Sequence, residues 1–238
     1  VYSLGDDSTL MRSVTSVSVA TGFHAGDPSV LRRTIRLARD LGVAIGAHPS
    51  FPDLAGFGRR EMTLSSEDAE DMVLYQLAAV SGIARAEGVA MMHVKPHGAL
   101  YNMAARDRQL AESIARAAYA AGPELAIFAP PRSALAAAAR AIGLRVVIEG
   151  FPDRAYRPDG SLVPRSEPDA VIVAVEDVVN RAIQMATERT VTAVDGTRLQ
   201  MDVDTICIHG DTAGAATMAA WIRAGLNSVD VDVRAPRS

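Results

Sequence analysis

Six short apolar, β-branched runs alternate with stretches of helical periodicity, and this alternation sets the tightest limit on what the chain can fold into. The runs are SVSVA (16–20), VAIGA (43–47), VAMMHV (89–94), LAIFA (125–129), RVVIE (145–149) and TICIH (205–209). Most are continuously apolar, which is the pattern of a strand covered on both faces in a parallel sheet. The helical stretches between them carry their own start and stop signals. Asp27 is a good N-cap with Pro28 at the first helical position; Val30, Leu31, Ile35, Ala38 and Leu41 mark one face, and Gly42 closes the helix. Ser65, Ser66 and Glu67 open a second helix that Gly88 ends just before the next strand. Further helices are expected over 107–121, 132–142, 176–188 and 213–225, the Ala-rich SALAAAARAIG being a helix former rather than a linker. In TVTAVDGTRLQM (190–201), alternation around Asp195-Gly196 predicts an inserted β-hairpin. Serial βα units in a single domain over 1–238 are the expected architecture.

Composition narrows the class of partner. Hydrophobic residues are 49% of the chain and charged residues 22%, so the chain should fold. A net charge of -4 without a basic stripe argues against a nucleic-acid partner. No apolar run approaches the roughly 18 residues that span a bilayer, so no membrane partner is expected. Cys207 is the only cysteine; it excludes an internal disulfide, suits a reducing, cytoplasmic setting, and sits mid-strand as a small buried hydrophobe rather than a nucleophile.

The five histidines, His24, His48, His93, His97 and His209, all lie at or just beyond the C-terminal end of a predicted strand. In βα barrels that end carries the active site. In HVKPHGALYN (93–102), the strand period puts His93, Lys95 and His97 on one face if the extended backbone persists past Pro96. A helical i,i+4 His pair suited to zinc is the competing geometry, and Pro96 and the preceding strand oppose it. Lys95 beside two imidazoles suits an oxyanion or phosphate clamp. Tyr101 and Asn102 either join them or pack and cap the next helix. GFHAGDP (22–28) places His24 and Asp27 at a helix N-terminus, with Asp27 either a plain cap or an anion-site residue. GAHPSFPDLAGFGRRE (46–61) is a long loop carrying His48, Asp53, Arg59 and Arg60. EGFPDRAYRPDG (149–160) offers Glu149, Asp153, Arg154 and Tyr156, and HGDTAG (209–214) offers His209 with Asp211 or Thr212 as a cap. Phosphate-loop, GxGxxG, HExxH and CxxC motifs are absent from the sequence.

GFHAGDP, IGAHPSFPDLAGFGRR, HVKPHGALYN, DRAYRPDG and TICIHGDT, in this order and spacing, resemble the LamB/YcsF family, the A subunits of bacterial ATP-dependent 5-oxoprolinase, over essentially the whole chain. The resemblance implies a distorted seven-stranded (β/α) TIM-like barrel of the glycoside hydrolase/deacetylase type. The family's first strand carries a DLN-x-DLGE motif upstream of the segment matching VYSLGDD, so six barrel strands and a gapped barrel are expected here. The implied reaction opens the lactam of 5-oxoproline to L-glutamate, coupled to hydrolysis of ATP, with Mg2+ as counter-ion, to ADP and phosphate. The implied partners are B and C subunits on separate chains. In that reaction, histidines drawn from His24, His48, His93 and His97 would act as acid and base, with Lys95 stabilising oxyanion or phosphoryl charge. Arg59 or Arg154 would hold the substrate carboxylate. Asp27, Arg60, Tyr101, Asn102, Glu149, Asp153, His209 and Asp211 are further substrate- or phosphate-binding candidates. Two alternatives stand beside this reading: a metal-dependent amide hydrolase or deacetylase using a protein-bound divalent ion, and a non-catalytic substrate-binding subunit.

Overall fold

A computed structural model of the protein describes residues 7–212 and 214–236. In chain order the elements are α1 (Asp7–Met11), β1 (Ser16–Ala20), α2 (Pro28–Asp40), β2 (Ala44–His48), α3 (Ser66–Ala86), β3 (Met91–Val94), α4 (Gly98–Ala104) and α5 (Arg108–Ala121). They continue with β4 (Ala126–Ala129), α6 (Ala134–Ala141), β5 (Arg145–Gly150), α7 (Val175–Thr187), β6 (Thr190–Thr192), β7 (Arg198–Gln200), β8 (Thr205–Ile206) and α8 (Ala215–Asn227). Each of the six apolar runs contains a strand, and each expected helix is present. Six strands with parallel partners are found among the described residues, one fewer than the seven that the family resemblance implies. The VYSLGDD segment falls outside the described residues except for Asp7, and so does Ala213 at the start of the last expected helix.

Contacts divide the chain into two compact units. The first is Thr15–Val147. Here β1 to β4 lie side by side in sequence order, all parallel, in registers such as Ala20↔His48, Gly46↔His93 and Val94↔Ile127. Helical crossovers join them, as parallel neighbours require. All four residues of β4 are buried, which explains the continuous apolar run. Helix α3 buries Val73, Leu77, Val80 and Ala84, and among them Gln76. At its C-cap, Glu87 accepts hydrogen bonds from Arg36 (2.9 Å) and Arg32 (2.5 Å) of α2; these guanidinium groups hold the carboxyl at about 2.

Asp27 caps α2 as the sequence suggests, accepting from Val30 N–H at 2.8 Å. Asp27→Ala is expected to lower stability by about 1 kcal/mol while sparing turnover, checked by urea unfolding beside an activity assay. Loss of turnover with unchanged stability would make Asp27 a ligand-binding residue instead. Helix α4 escapes the periodicity reading because it is seven residues long and starts on Gly98, a left-handed residue (φ 57°), directly after HVKPH.

The second unit holds residues 7–14 and Ile148–Pro236. The end of β5 pairs in parallel with β8 through Glu149↔Thr205 and Gly150↔Ile206. The last strand is only two residues long, shorter than TICIH suggests, so His209 sits in the loop beyond it. Helices α7 and α8 share a core of Val178, Ala182, Met218, Ile222 and Leu226. The expected hairpin is β6–β7, antiparallel with Val191↔Leu199. In its turn Asp195 accepts from Thr197 N–H at 2.9 Å, and Gly196 takes the positive φ (87°) such a turn needs. Among the described residues no helix is long and apolar enough to cross a membrane.

Candidate active site

In the first unit, three successive strands deliver a histidine each. His24 follows β1 in the turn closed by Gly22 N–H to Ala25 O (3.0 Å), and His48 is the last residue of β2. Beyond β3 the ladder continues: Lys95 N–H donates to Ala47 O (3.0 Å) and His97 N–H to Pro49 O (2.8 Å). The extended backbone therefore persists through Pro96 to His97, as the alternation argument requires, and the helical His93/His97 pair is not formed. His97 occupies the N-cap position of α4 without a side-chain cap bond, which leaves its ring for the cluster.

That ring stacks on His24 (centroids 3.9 Å, 8° between planes) and meets His48 edge-on, with His97 Nδ1 3.0 Å from His48 Nε2. The outer nitrogens both reach backbone carbonyls: His48 Nδ1 lies 2.5 Å from Lys95 O and His97 Nε2 lies 2.8 Å from Phe57 O. Phe57 packs edge-on against both His24 (5.5 Å) and His97 (5.2 Å). Burial, reinforced by His97, Lys95 and His24, holds His48 well below the usual 6.5, so its imidazole is neutral.

The loop between β2 and α3 is fastened over this cluster. Phe57 and Gly58 are consecutive left-handed residues (φ 54° and 67°), and Gly58 O accepts from Ala99 N–H of α4 at 2.9 Å. Asp53, buried, accepts from Gly56 N–H (2.9 Å) and Arg60 Nε (2.9 Å); the Arg60 guanidinium holds its carboxyl at about 2. Arg60 and Asp53 thus organise the loop for one another. Arg59 stands 5.0 Å over the Phe57 ring. Gln76, fully buried on α3, accepts from Thr21 Oγ1 (2.6 Å) and Ser50 N–H (2.9 Å) and donates to Ser50 O (3.0 Å) and Met72 O (3.0 Å). It locks the loop's first residues to the end of β1. Sequence reasoning passed over Gln76 and Phe57. A polar residue on the apolar face of α3 was the available signal for Gln76; Phe57 had none.

His93 has a different environment. Its Nε2 lies 3.1 Å from Ser18 Oγ, its ring stacks on Phe128 (4.1 Å, 14°), and a Cβ at Gly46 would collide with it. Burial, with smaller contributions from Lys95 and Arg145, lowers it to about 3. The unfolded chain binds a proton at His93 below the ordinary value of 6.5, while the folded chain resists until about 3. Its contribution is thus complete above 6.5 and is lost as the pH falls through that window, at about 1.4 kcal/mol per pH unit. Urea unfolding at pH 7 and pH 5 should show a loss smaller by about 2 kcal/mol in His93→Gln than in the parent.

Of the remaining candidates in this unit, Lys95 is half-buried, Tyr101 is buried on α4 and Asn102 is exposed on the same helix. In the second unit His209 Nδ1 lies 2.8 Å from Asp153 Oδ2, so the carboxylate fixes the Nδ1–H form of the ring, and Phe151 flanks it at 5.9 Å. Arg154 donates to Ala170 O (3.1 Å) and Val163 O (2.5 Å), which turns those donors to folding the loop. Arg181, not anticipated, clamps the same segment through Pro152 O (3.0 Å), Arg154 O (2.9 Å) and Thr192 O (3.2 Å). Tyr156 accepts from Phe151 N–H at 2.8 Å, and burial pushes its phenol well above the ordinary 10. Glu149 is buried and Asp211 exposed. Among the described residues no group of three or more His, Cys, Asp or Glu is placed to hold a metal ion.

The whole chain, residues 1–238, matches the LamB/YcsF family. It is 49% identical to the 5-oxoprolinase A subunit of Tolumonas auensis across 99% of this chain and 94% of that protein. It is likewise 49% identical to the 5-oxoprolinase A subunit of Bacillus subtilis, across 98% and 91%. The crystal structure of the lactam utilization protein from Thermus thermophilus superposes with a TM-score of 0.93 at 45% identity, covering 99% of this chain and 94% of that one. The match along the full sequence, the identities to these relatives and the superposition agree: the chain belongs to the LamB/YcsF family.

Proposed function

We propose that this chain is the component of an ATP-dependent 5-oxoprolinase that handles the lactam, opening 5-oxoproline to L-glutamate while ATP becomes ADP and phosphate. The observation that carries the reading is the packed trio His24, His48 and His97, in a chain 49% identical to proteins named as 5-oxoprolinase A subunits. Those names also support a complex of several subunits.

A five-membered lactam is a stable amide, and ring opening needs both a better electrophile and a protonated leaving nitrogen. Transfer of the ATP γ-phosphoryl group to the carbonyl oxygen supplies the electrophile. Water adds to that carbon, the C–N bond breaks as the nitrogen takes a proton, and a second water releases phosphate from the resulting acyl phosphate. The histidine cluster supplies proton transfer, each such step contributing about 10²–10⁴ in rate. Lys95 faces the developing negative charge, and Arg59 meets the substrate carboxylate.

The test is reconstitution of the full chain with the B and C subunits, Mg-ATP and 5-oxoproline. The expected result is glutamate and phosphate in equal amounts, both requiring this chain and ATP. Glutamate formed without ATP and abolished by a chelator would instead support a metal-dependent amide hydrolase.

A further inference from the structure

The hydrogen bonds around His48 and His97 leave one proton to place. Lys95 O and Phe57 O can only accept, so His48 Nδ1 and His97 Nε2 each carry a hydrogen. Were both rings neutral, His97 Nδ1 and His48 Nε2 would present lone pairs to each other across 3.0 Å. Two acceptors repel at that distance, whereas a single N–H between them makes a normal hydrogen bond. Burial does not separate the two rings, since His97 is itself buried; the cationic neighbour Lys95 makes His48 the poorer home for the extra charge. His97 has an acceptor for each of its two N–H groups and the face of His24 stacked on its ring.

We propose that His97 rests as an imidazolium, one N–H on Phe57 O and the other on His48 Nε2, and that this stored proton is the one taken by the leaving lactam nitrogen. His48 is a positioning residue: Lys95 O fixes its Nδ1–H form and so aims its Nε2 lone pair at His97. This assignment rests on the lactam-opening reading. In the transfer, the lactam nitrogen replaces one acceptor of the imidazolium. An imidazolium N–H bond breaks, the electron pair of the cleaved C–N bond forms the new N–H bond, and His97 is left neutral. The water that adds to the carbonyl carbon releases the proton that restores the pair.

The groups facing the pair come from each neighbouring segment. His24 follows β1, Lys95 follows β3, and the β2–α3 loop brings Arg59 over Phe57 together with the mutually neutralising Asp53 and Arg60. Two imidazoles this close titrate as a unit.

Nitrogen-15 NMR of the full chain labelled at histidine reads the pair without substrate. At about pH 7.5, roughly one unit above the ordinary histidine value, one ring should have both nitrogens protonated and its partner should be the neutral Nδ1–H form. The doubly protonated signal should vanish in His97→Asn. Two neutral rings at that pH would overturn the proposal. The assembled enzyme gives a second readout in the pH profile of kcat/KM. His48→Gln, which keeps an acceptor, should preserve the alkaline limb, whereas His48→Leu should move it down by about one pH unit; an unmoved limb in His48→Leu would also overturn the proposal. A wild-type complex that makes no glutamate but shows the doubly protonated ring would refute the lactam-opening reading and leave the shared proton standing.

Discussion

Replacing Gly58 with alanine is expected to lower turnover at least about 100-fold while the chain stays folded. Gly58 holds φ at 67°, a conformation that costs an L-residue about 1–2 kcal/mol. The larger effect is steric. A Cβ there would collide with Ser50 Oγ and come within 2.9 Å of His24 Cβ and 2.9 Å of His97 Cδ2. Gln76 pins the Ser50 backbone, so Ser50 Oγ can turn away only by giving up its 3.1 Å bond to Phe51 O. The loop has little room to withdraw, because Gly58 O is bonded to Ala99 N–H at 2.9 Å. The strain must therefore go into the His24–His97 stack. Catalytic groups displaced by about 1 Å commonly lose two orders of magnitude in rate. Turnover measured beside near-UV circular dichroism checks this, and wild-type turnover in the variant would show that the stacked geometry is dispensable.

His97→Ala is expected to lower turnover by about 10²–10⁴, the usual worth of a positioned acid. His48→Ala should cost at most about tenfold, and only on the alkaline side, because without the ring that accepts from His97 Nδ1 the alkaline limb moves down by about one pH unit. The double variant should then be little worse than His97→Ala alone, since groups that act through one proton do not contribute additively. Losses that multiply across the cycle would mean that the two rings act independently. Neither substitution should unfold the protein: both rings lie at strand ends, beyond the buried apolar residues of β2 and β3.

How far the chain discloses itself in sequence depends on the range of the interactions. Strand positions were legible because burial on both faces leaves a contiguous mark in residues 126–129 and 147–150. The convergence of His24, His48 and His97 was legible because strand ends in a parallel βα arrangement point one way. What separates His93 from them was not: the collision of a Gly46 Cβ with its ring expresses a close approach between two neighbouring strands, and nothing in HVKPH reports it. The tautomers of His48 and His97 depend on Lys95 O and Phe57 O, backbone atoms whose positions no side-chain pattern encodes. The roles of Arg60, Arg154 and Arg181 were hidden for a related reason. Guanidinium groups suit a substrate carboxylate and a loop carbonyl equally well, and only the folded loops show carbonyls or Asp53 within reach.

The most direct measurement for the central claim is ATP-dependent glutamate formation from 5-oxoproline by the B and C subunits complemented with this chain, either wild type or His97→Ala. The account predicts that the wild-type chain restores glutamate and phosphate release in equal amounts, and that the folded variant assembles but restores less than about 1% of the rate. Full activity with His97→Ala, or with this chain left out, would contradict it.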